Sequence, residues 1–486
     1  MKSPLEMPLR SSWKNNWEVI RLAARTAGAT LSNYDEVLKT YYLDGVQDYL
    51  NHSHILKDLI EVNEKDITGK SATIENHYGR SSGTAAVGDG GDLPTSAYQK
   101  FQTSTVPMKY IYGRIEVTGP GIAATRNAKG AYGKTLDTEV RGIANDLAKE
   151  VNRMDWGCGY GTLARWQSGA TTAIVLQKKY RGAAAGGDGF GSAFGGKYLD
   201  KRTDCVAVVA ASLSASGSYT VDSTALTVSA LTKGTAGTDT VTITNAAVSE
   251  AAGTFYVRGN ATQQSLGTYA SAGAHRKESM GIRGLVTDTD LDEIALTDGT
   301  NTGGQTNDPL QGLAVGTYSW FKSIVDSHSS GRYAGQRALS LTLMQTMFDM
   351  VEEQAGKDFG PSLMLTTRAL RREYLELVRA NKTFVNTMTL DGGWKALDYN
   401  GVPFTVDNDA IDGEIYFLTL QDIQMYRMSD YDWMQKDGAV LSRISGYDIY
   451  EAVLFRYHEM GIKNRATQGV ITDLAYTKSS VEGYGG

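Results

Sequence analysis

The sequence predicts an α+β chain, and three observations carry that expectation. Two strand-like segments flank a long soft tip, a long amphipathic helix follows them, and the remaining β-branched and aromatic runs show no regular βαβα alternation. The first strand-like arm, Ala72 to Tyr78, carries Ile74 and Tyr78. The second, Thr103 to Thr118, carries Val106, Met108, Tyr110, Tyr112, Ile115 and Val117, the composition of strands. Between them, Gly79 to Gln102 holds Gly83, Gly88, Gly90, Gly91, Asp89, Asp92 and Pro94, residues that turn readily and bury little. A two-stranded hairpin is not stable alone in water. It needs another surface, so a chain displaying such an arm reads as a subunit of an assembly.

The helix after the hairpin, expected over Thr135 to Met154, is the clearest periodic signal. Leu136, Val140, Ile143, Leu147, Val151 and Met154 recur at steps of three and four, one stripe of a helix facing a core. Asp137 and Glu139 lie in its first turn and Arg153 in its last, as the helix dipole favours. Trp156, Gly157 and Gly159 end it. At about 1.5 Å per residue such a rod is about 30 Å long, enough to be the spine of a domain.

Composition narrows the function classes. The 486 residues include 41% hydrophobic ones, ample for globular cores, and the length gives a prior of about three domains. Lys and Arg number 48 against 54 Asp and Glu, a net charge of -6, which argues against a protein whose main task is gripping phosphate backbones. An acidic wall can still contain nucleic acid that slides along it. Tyr outnumbers Phe 27 to 11, and tyrosine is the aromatic that tolerates half-burial at interfaces. Cys158 and Cys205 are too few for a disulfide framework or a thiolate zinc site, which makes a reducing compartment the default. Met1 to Arg10 has no signal-peptide core, and no apolar run reaches the ~20 residues of a membrane span.

Further along the chain, residues 12 to 62 read as amphipathic helix, with Trp13, Trp17 and Ile20 on one stripe, as either a local subdomain or an arm that packs on a neighbour. Residues 203 to 265 shift to Ala, Thr, Ser and Gly with short strands near Tyr219 to Val221, Leu226 to Val228, Val241 to Thr244 and Phe255 to Val257, the texture of an all-β insert. Helices are expected over Arg337 to Gln354 and Ala369 to Arg379. Strands are expected at Leu363 to Thr366, Val402 to Val406, Ile415 to Leu420 and Ile449 to Phe455.

No motif points to catalysis, a cofactor or a metal. Gly133-Lys134-Thr135 opens a helix after a glycine-rich loop, the setting of a phosphate-binding loop, but Ala128 stands where that motif needs its first glycine. Asp288, Asp290 and Asp292 imitate the start of a calcium loop, yet Glu293 and Gly299 occupy the positions that need Gly and Glu. His458-Glu459 lacks the second His of a zinc helix, and Cys158 has no positioned base. An alternative keeps Lys134 and Thr135 as the site of a nucleotide-binding enzyme.

The order of elements resembles that of the major capsid proteins of tailed bacteriophages. The residues that carry the likeness are the hairpin, the helix ending in Trp156-Gly157-Cys158-Gly159-Tyr160-Gly161, Gly281-Ile282-Arg283-Gly284-Leu285, Leu363-Met364-Leu365-Thr366-Thr367 and Gly401-Val402-Pro403. Gly446-Tyr447-Asp448, Tyr450-Glu451-Ala452, Gly461-Ile462-Lys463-Asn464-Arg465-Ala466 and Val470-Ile471 extend it to the closing strands. The resemblance implies the Hong Kong ninety-seven type fold. It would make 1–66 an N-terminal arm, 67–118 an extended hairpin loop, and 119–202 a peripheral domain with spine helix 135–154. Residues 203–265 would be an inserted β domain, 276–430 an axial domain, and 431–486 closing strands shared by the peripheral and axial domains.

By the same resemblance the chain is no enzyme but a structural subunit of an icosahedral head that encloses double-stranded DNA in the virion, after assembly in the host cytoplasm. Its partners would be itself in pentamers and hexamers, a portal, a scaffold or protease during assembly, and a decoration protein, with no membrane. Contacts between subunits are expected from Tyr78, Arg80, Tyr98, Lys100, Phe101, Trp13 and Trp17. Some relatives cross-link this loop through a lysine, but Ser81 to Ala97 contains none, so a non-covalent shell is expected. An encapsulin-like bacterial compartment is the alternative within the same fold.

Overall fold

The computed structural model describes residues 55–121, 135–168, 173–177, 198–199, 204–209, 220–221, 226–232, 238–243, 255–258, 277–291, 309–328, 337–355, 360–380, 387–389, 395–435 and 441–476. The readings made for residues 1–54, including Trp13 and Trp17, for Lys134 and for Asp292 lie outside them. Of the segment expected to be helical to residue 62, the described end is a short helix, Ile55–Leu59, and a strand, Glu61–Asn63.

Four sheets and a few helices form the described mixed α and β architecture. The long strand Ile449–Ile462 organises the first sheet. Lys109–Thr118 runs antiparallel along one side of it and Ile423–Trp433 along the other, while Glu61–Asn63 adds in parallel beyond. Lys109–Thr118 alternates strictly: Ile111, Ile115 and Val117 are buried, and Tyr110, Tyr112, Arg114 and Glu116 are exposed, the period of a sheet covered on one face. The helix Thr135–Trp156 covers that face, with Leu147, Val151 and Met154 packed on Ile111 and Leu454. Helix and sheet approach closely at Gly113, where an added Cβ would lie 2.8 Å from Ile143 Cγ1.

The return arm of the hairpin, read from sequence as one segment to Thr118, is two strands. Lys100–Pro107 pairs with Ser71–Gly79, and Lys109–Thr118 crosses to the long strand. Pro107 has no N–H to donate, so the hairpin ladder ends there. The partner of the second strand lies more than three hundred residues away, beyond the reach of local periodicity.

The second sheet combines Thr162–Ser168 and Ala173–Gln177 with the short strands of the Thr/Ser-rich segment. Phe255–Arg258 pairs with Thr162–Ser168, and Thr238–Ile243 pairs with Ala173–Gln177. The Thr/Ser-rich strands therefore extend an existing hairpin instead of closing a sheet of their own. Leu163, Ile174, Leu176, Leu199 and Val228 form its small core.

The third sheet is the best buried. Leu363–Thr366 lies at its centre, parallel to Val402–Val406 and antiparallel to Ile415–Leu418, and Gly469–Ile471 and Ile324–Asp326 complete one side. Alternate residues feed two cores: Met364, Ile415, Phe417 and Ile471 point to one, and Leu363, Leu365, Tyr416, Leu418 and Val470 to the other. Helices Leu341–Ala355 and Arg368–Ala380 close the first core through Met344, Met347, Val351, Leu370, Tyr374 and Val378. The second core reaches Trp156, Ile282, Leu285, Met425, Met460 and Ile462, so it ties this sheet to the end of the long helix and to the first sheet.

Several boundaries differ from the sequence reading. The helix expected from Arg337 starts at Leu341, because Ser340 Oγ accepts the Leu343 N–H at 3.1 Å and caps it, while Arg337 is held by Asp326. The strand expected to end at Leu420 ends at Leu418, followed by a single turn, Leu420–Asp422. The strand expected to end at Phe455 continues to Ile462, its inward positions occupied by polar residues that hide the alternation.

Candidate intersubunit surface

The hairpin changes character along its length. At its root Ala72, Val106 and Met108 are buried against Tyr426, and Gly461 lies so close to Val106 that an added Cβ would meet its methyl at 2.8 Å. Midway, Asn76 Nδ2 donates to Ser104 Oγ at 3.1 Å, a buried polar pair that holds the two strands in register. Beyond it the side chains open to solvent. Leu93 is 87% exposed, Tyr98 81% and Phe101 63%. Arg80 and Lys100 are exposed as well.

Tyr78 differs from these. Its ring stacks on Trp320 with centroids 5.2 Å apart, so it braces the arm against its own subunit while remaining 40% exposed. Phe101 packs on His77 across the ladder, at 4.9 Å between centroids. Of the stripe residues of the long helix, Leu147, Val151 and Met154 are buried, Val140 and Ile143 are half-buried, and Leu136 lies in the helix with its side chain outside the described residues.

The C-terminal end of that helix meets two other segments in a buried charged junction that sequence reasoning missed. Gly281 is pressed against the backbone of Met154 and Asp155, where any Cβ would collide. Arg153 pairs with Glu278 and, at 3.0 Å, with Glu150. Burial opposes its charge, but those two carboxylates outweigh burial and hold the guanidinium firmly protonated. Glu459 on the long strand accepts the backbone N–H groups of Met280 and Met460. Burial pushes its carboxyl up to about 8, against the opposing pull of Lys109 and those two N–H groups. His458 Nε2 lies 4.0 Å from Asp155 Oδ1, both fully enclosed.

A cavity of about 40 Å³ beside the junction, lined by Arg153, Trp156, Cys158, Thr162, Glu278 and Asp409, has room for water but not for a nucleotide. The junction therefore clasps the helix end, the Glu278–Leu285 segment and the long strand together. Arg465 performs a similar task further on. It is fully buried, and its guanidinium donates to the carbonyls of Leu285 at 2.9 Å and Thr289 at 3.1 Å. Burial lowers its pKa to about 10, against the pull of Asp290 and Asp288. Asp290 Oδ1 accepts the Val315 N–H at 2.8 Å, so this acidic turn is tied into the backbone. Among the described residues no cluster of His, Cys, Asp or Glu has the geometry of a metal site, and no helix is long and apolar enough to cross a membrane.

No protein-family model matches the chain, and no curated protein does. Among solved structures, the Cyanophage A-1(L) capsid asymmetric unit is similar with a TM-score of 0.51 at 11% identity, covering 92% of this chain and 99% of that one. The capsid of a native GTA particle has a TM-score of 0.43 at 8% identity, covering 92% and 100%. The SrpI encapsulin complex from Synechococcus elongatus PCC 7942 has a TM-score of 0.43 at 6% identity, covering 94% and 100%. The chain thus has the fold of a tailed-phage major capsid protein, the fold that the order of its elements implied.

Proposed function

We propose that this chain is the structural subunit of an icosahedral head shell that encloses packaged double-stranded DNA. The observation that carries this reading is the hairpin: its root is built into the subunit, whereas in its distal half Leu93, Tyr98 and Phe101 stay largely exposed among the described residues. An exposed apolar arm on an otherwise well-buried protein marks an association surface. A closed shell repeats such heterologous contacts around its rotations.

In this reading residues 1–66 are the N-terminal arm, 67–118 the loop that crosses a neighbour, 119–202 the peripheral domain, 203–265 the outward insert, 276–430 the axial domain and 431–486 the closing strands. Tyr78, Arg80, Tyr98, Lys100 and Phe101, with Trp13 and Trp17 from the arm, contact the next subunit. The shell is non-covalent, since the tip has no lysine. Portal, scaffold or protease and a decoration protein act with it during head assembly in the host cytoplasm, and catalysis has no part in its role.

Electron microscopy of the purified protein tests the reading directly. Shells or capsomer rings are expected, and the doubly substituted Tyr98→Ala, Phe101→Ala chain is expected to fold normally yet stay unassembled. A wild-type chain that remains monomeric under assembly conditions overturns the proposal. Boiling assembled shells in denaturant should release single chains, and a ladder of covalent multimers would remove the non-covalent part alone.

A further inference from the structure

The two helices on the third sheet carry opposite charge on opposite flanks. Helix Leu341–Ala355 packs over Ile324–Asp326, Gly469–Ile471 and Ile415–Leu418, on one side of the central strand Leu363–Thr366. Helix Arg368–Ala380 packs over Val402–Val406, on the other side. Both sit on the same hydrophobic core, so they share one face of the sheet. The first helix has Asp349, Glu352 and Glu353 in its last two turns and no basic residue; Asp349 and Glu353 are exposed. The second opens with Arg368, Arg371 and Arg372 within little more than one turn, with Arg368 exposed and Arg371 half-buried, before Glu373, Glu376 and Arg379 follow along the helix. After burial, the charges of Arg368 and Arg372 are what lower the pKa of Arg371, the mark of like charges held together.

We propose that these flanks form a head-to-tail interface between neighbouring copies of the chain, the arginine-rich start of helix Arg368–Ala380 meeting the acidic end of helix Leu341–Ala355 on the next copy. The inference rests on the shell reading and names the surfaces that close its rings. Arg371 has like charges on both sides, and an acidic surface brought against Arg368 and Arg371 relieves that repulsion. Because the two flanks lie on opposite sides of the same sheet, a rotation that brings one against the other repeats around a ring, as heterologous closure requires. Single exposed pairs contribute little. Complementary flanks nevertheless set register and exclude misaligned neighbours, because like-charge juxtaposition is penalised at every position of the ring.

Charge reversal and its repair test the interface, with circular dichroism to check folding and electron microscopy to count rings and shells. Arg368→Glu with Arg371→Glu, and separately Asp349→Lys with Glu353→Lys, should each leave a folded subunit that has lost its rings. The chain carrying all four substitutions should form them again. Rings unaffected by Arg368→Glu with Arg371→Glu would overturn the interface and leave the shell reading standing, whereas a wild-type chain without any assembly would remove the shell reading itself. Four substitutions that do not restore rings would also overturn it. So would salt-sensitive binding of random duplex DNA that Arg368→Glu with Arg371→Glu abolishes while rings persist, because the arginines would then face nucleic acid.

Discussion

The hairpin and the third sheet are both built of β-strands, yet they meet the demands of burial in opposite ways. In Leu363–Thr366 every residue is buried, odd and even positions feed two different cores, and the sheet is covered on both faces within one chain. In the hairpin only the root is buried, the middle relies on a polar pair, and the distal half shows its aromatic side chains to solvent. The first region is packed within one chain, and in the proposed shell the second meets a neighbouring subunit.

That contrast can be broken at either end, and the largest effect belongs to the third sheet. Phe417→Ala should lower the unfolding free energy of the isolated subunit by about 3–5 kcal/mol, read from a urea titration, because it opens a cavity between close-packed helices and strands. A cost below about 1 kcal/mol would show that the sheet is not the stabilising region. Arg465→Met comes next. It leaves the carbonyls of Leu285 and Thr289 without their buried donor, and about 1–3 kcal/mol per unsatisfied group is expected, measured in the same titration.

The charged junction gives a smaller, pH-dependent effect. The folded chain holds Glu459 neutral up to about 8, whereas the ordinary carboxyl value is 4.5, so the folded state keeps a proton that the unfolded chain gives up. The stability contributed by this neutral carboxyl is complete below the unfolded pKa, declines as pH rises through that window and levels off above it. Glu459→Gln stays neutral throughout, so its unfolding midpoint should vary less between about pH 5 and about pH 8 and exceed that of the wild type at the upper end. An unchanged slope would mean that another group sets the pH dependence.

The smallest effect on the subunit alone is expected from Phe101→Ala. On an exposed strand, isolated stability should move by no more than about 0.5 kcal/mol. Assembly, followed by light scattering, should nonetheless fall sharply. A large loss of subunit stability would instead place Phe101 in the subunit's own fold.

Legibility from sequence followed the type of burial. The stripe Leu147, Val151 and Met154, the strand Leu363–Thr366 and the glycine-rich tip were readable because their patterns are local. The hairpin's exposed residues Tyr98 and Phe101 were readable as aromatics with no local helix or strand core to enter. The long strand was underestimated because Arg456, His458 and Glu459 sit at buried positions that a hydrophobic pattern leaves blank. The buried junction was invisible for the same reason. Its members, Arg153, Glu278 and Glu459, are spread over three segments; from sequence Arg153 reads only as a helix-dipole residue and His458-Glu459 only as part of a zinc motif that it does not complete. Arg465 stands in the run Gly461-Ile462-Lys463-Asn464-Arg465-Ala466, where its polar neighbours Lys463 and Asn464 give no sign that it is buried.

The sequence by itself determined the element types of the well-patterned segments, the helix with its single apolar stripe and the presence of an arm that cannot bury itself, because hydrophobic periodicity and turn chemistry act over a few residues. Tertiary structure alone decided that the return arm splits at Met108, that the Thr/Ser-rich strands extend another hairpin's sheet, and that acidic and basic helices flank one central strand. Those outcomes depend on which distant strand offers an open edge and on which charges burial brings together, and both are properties of the assembled chain.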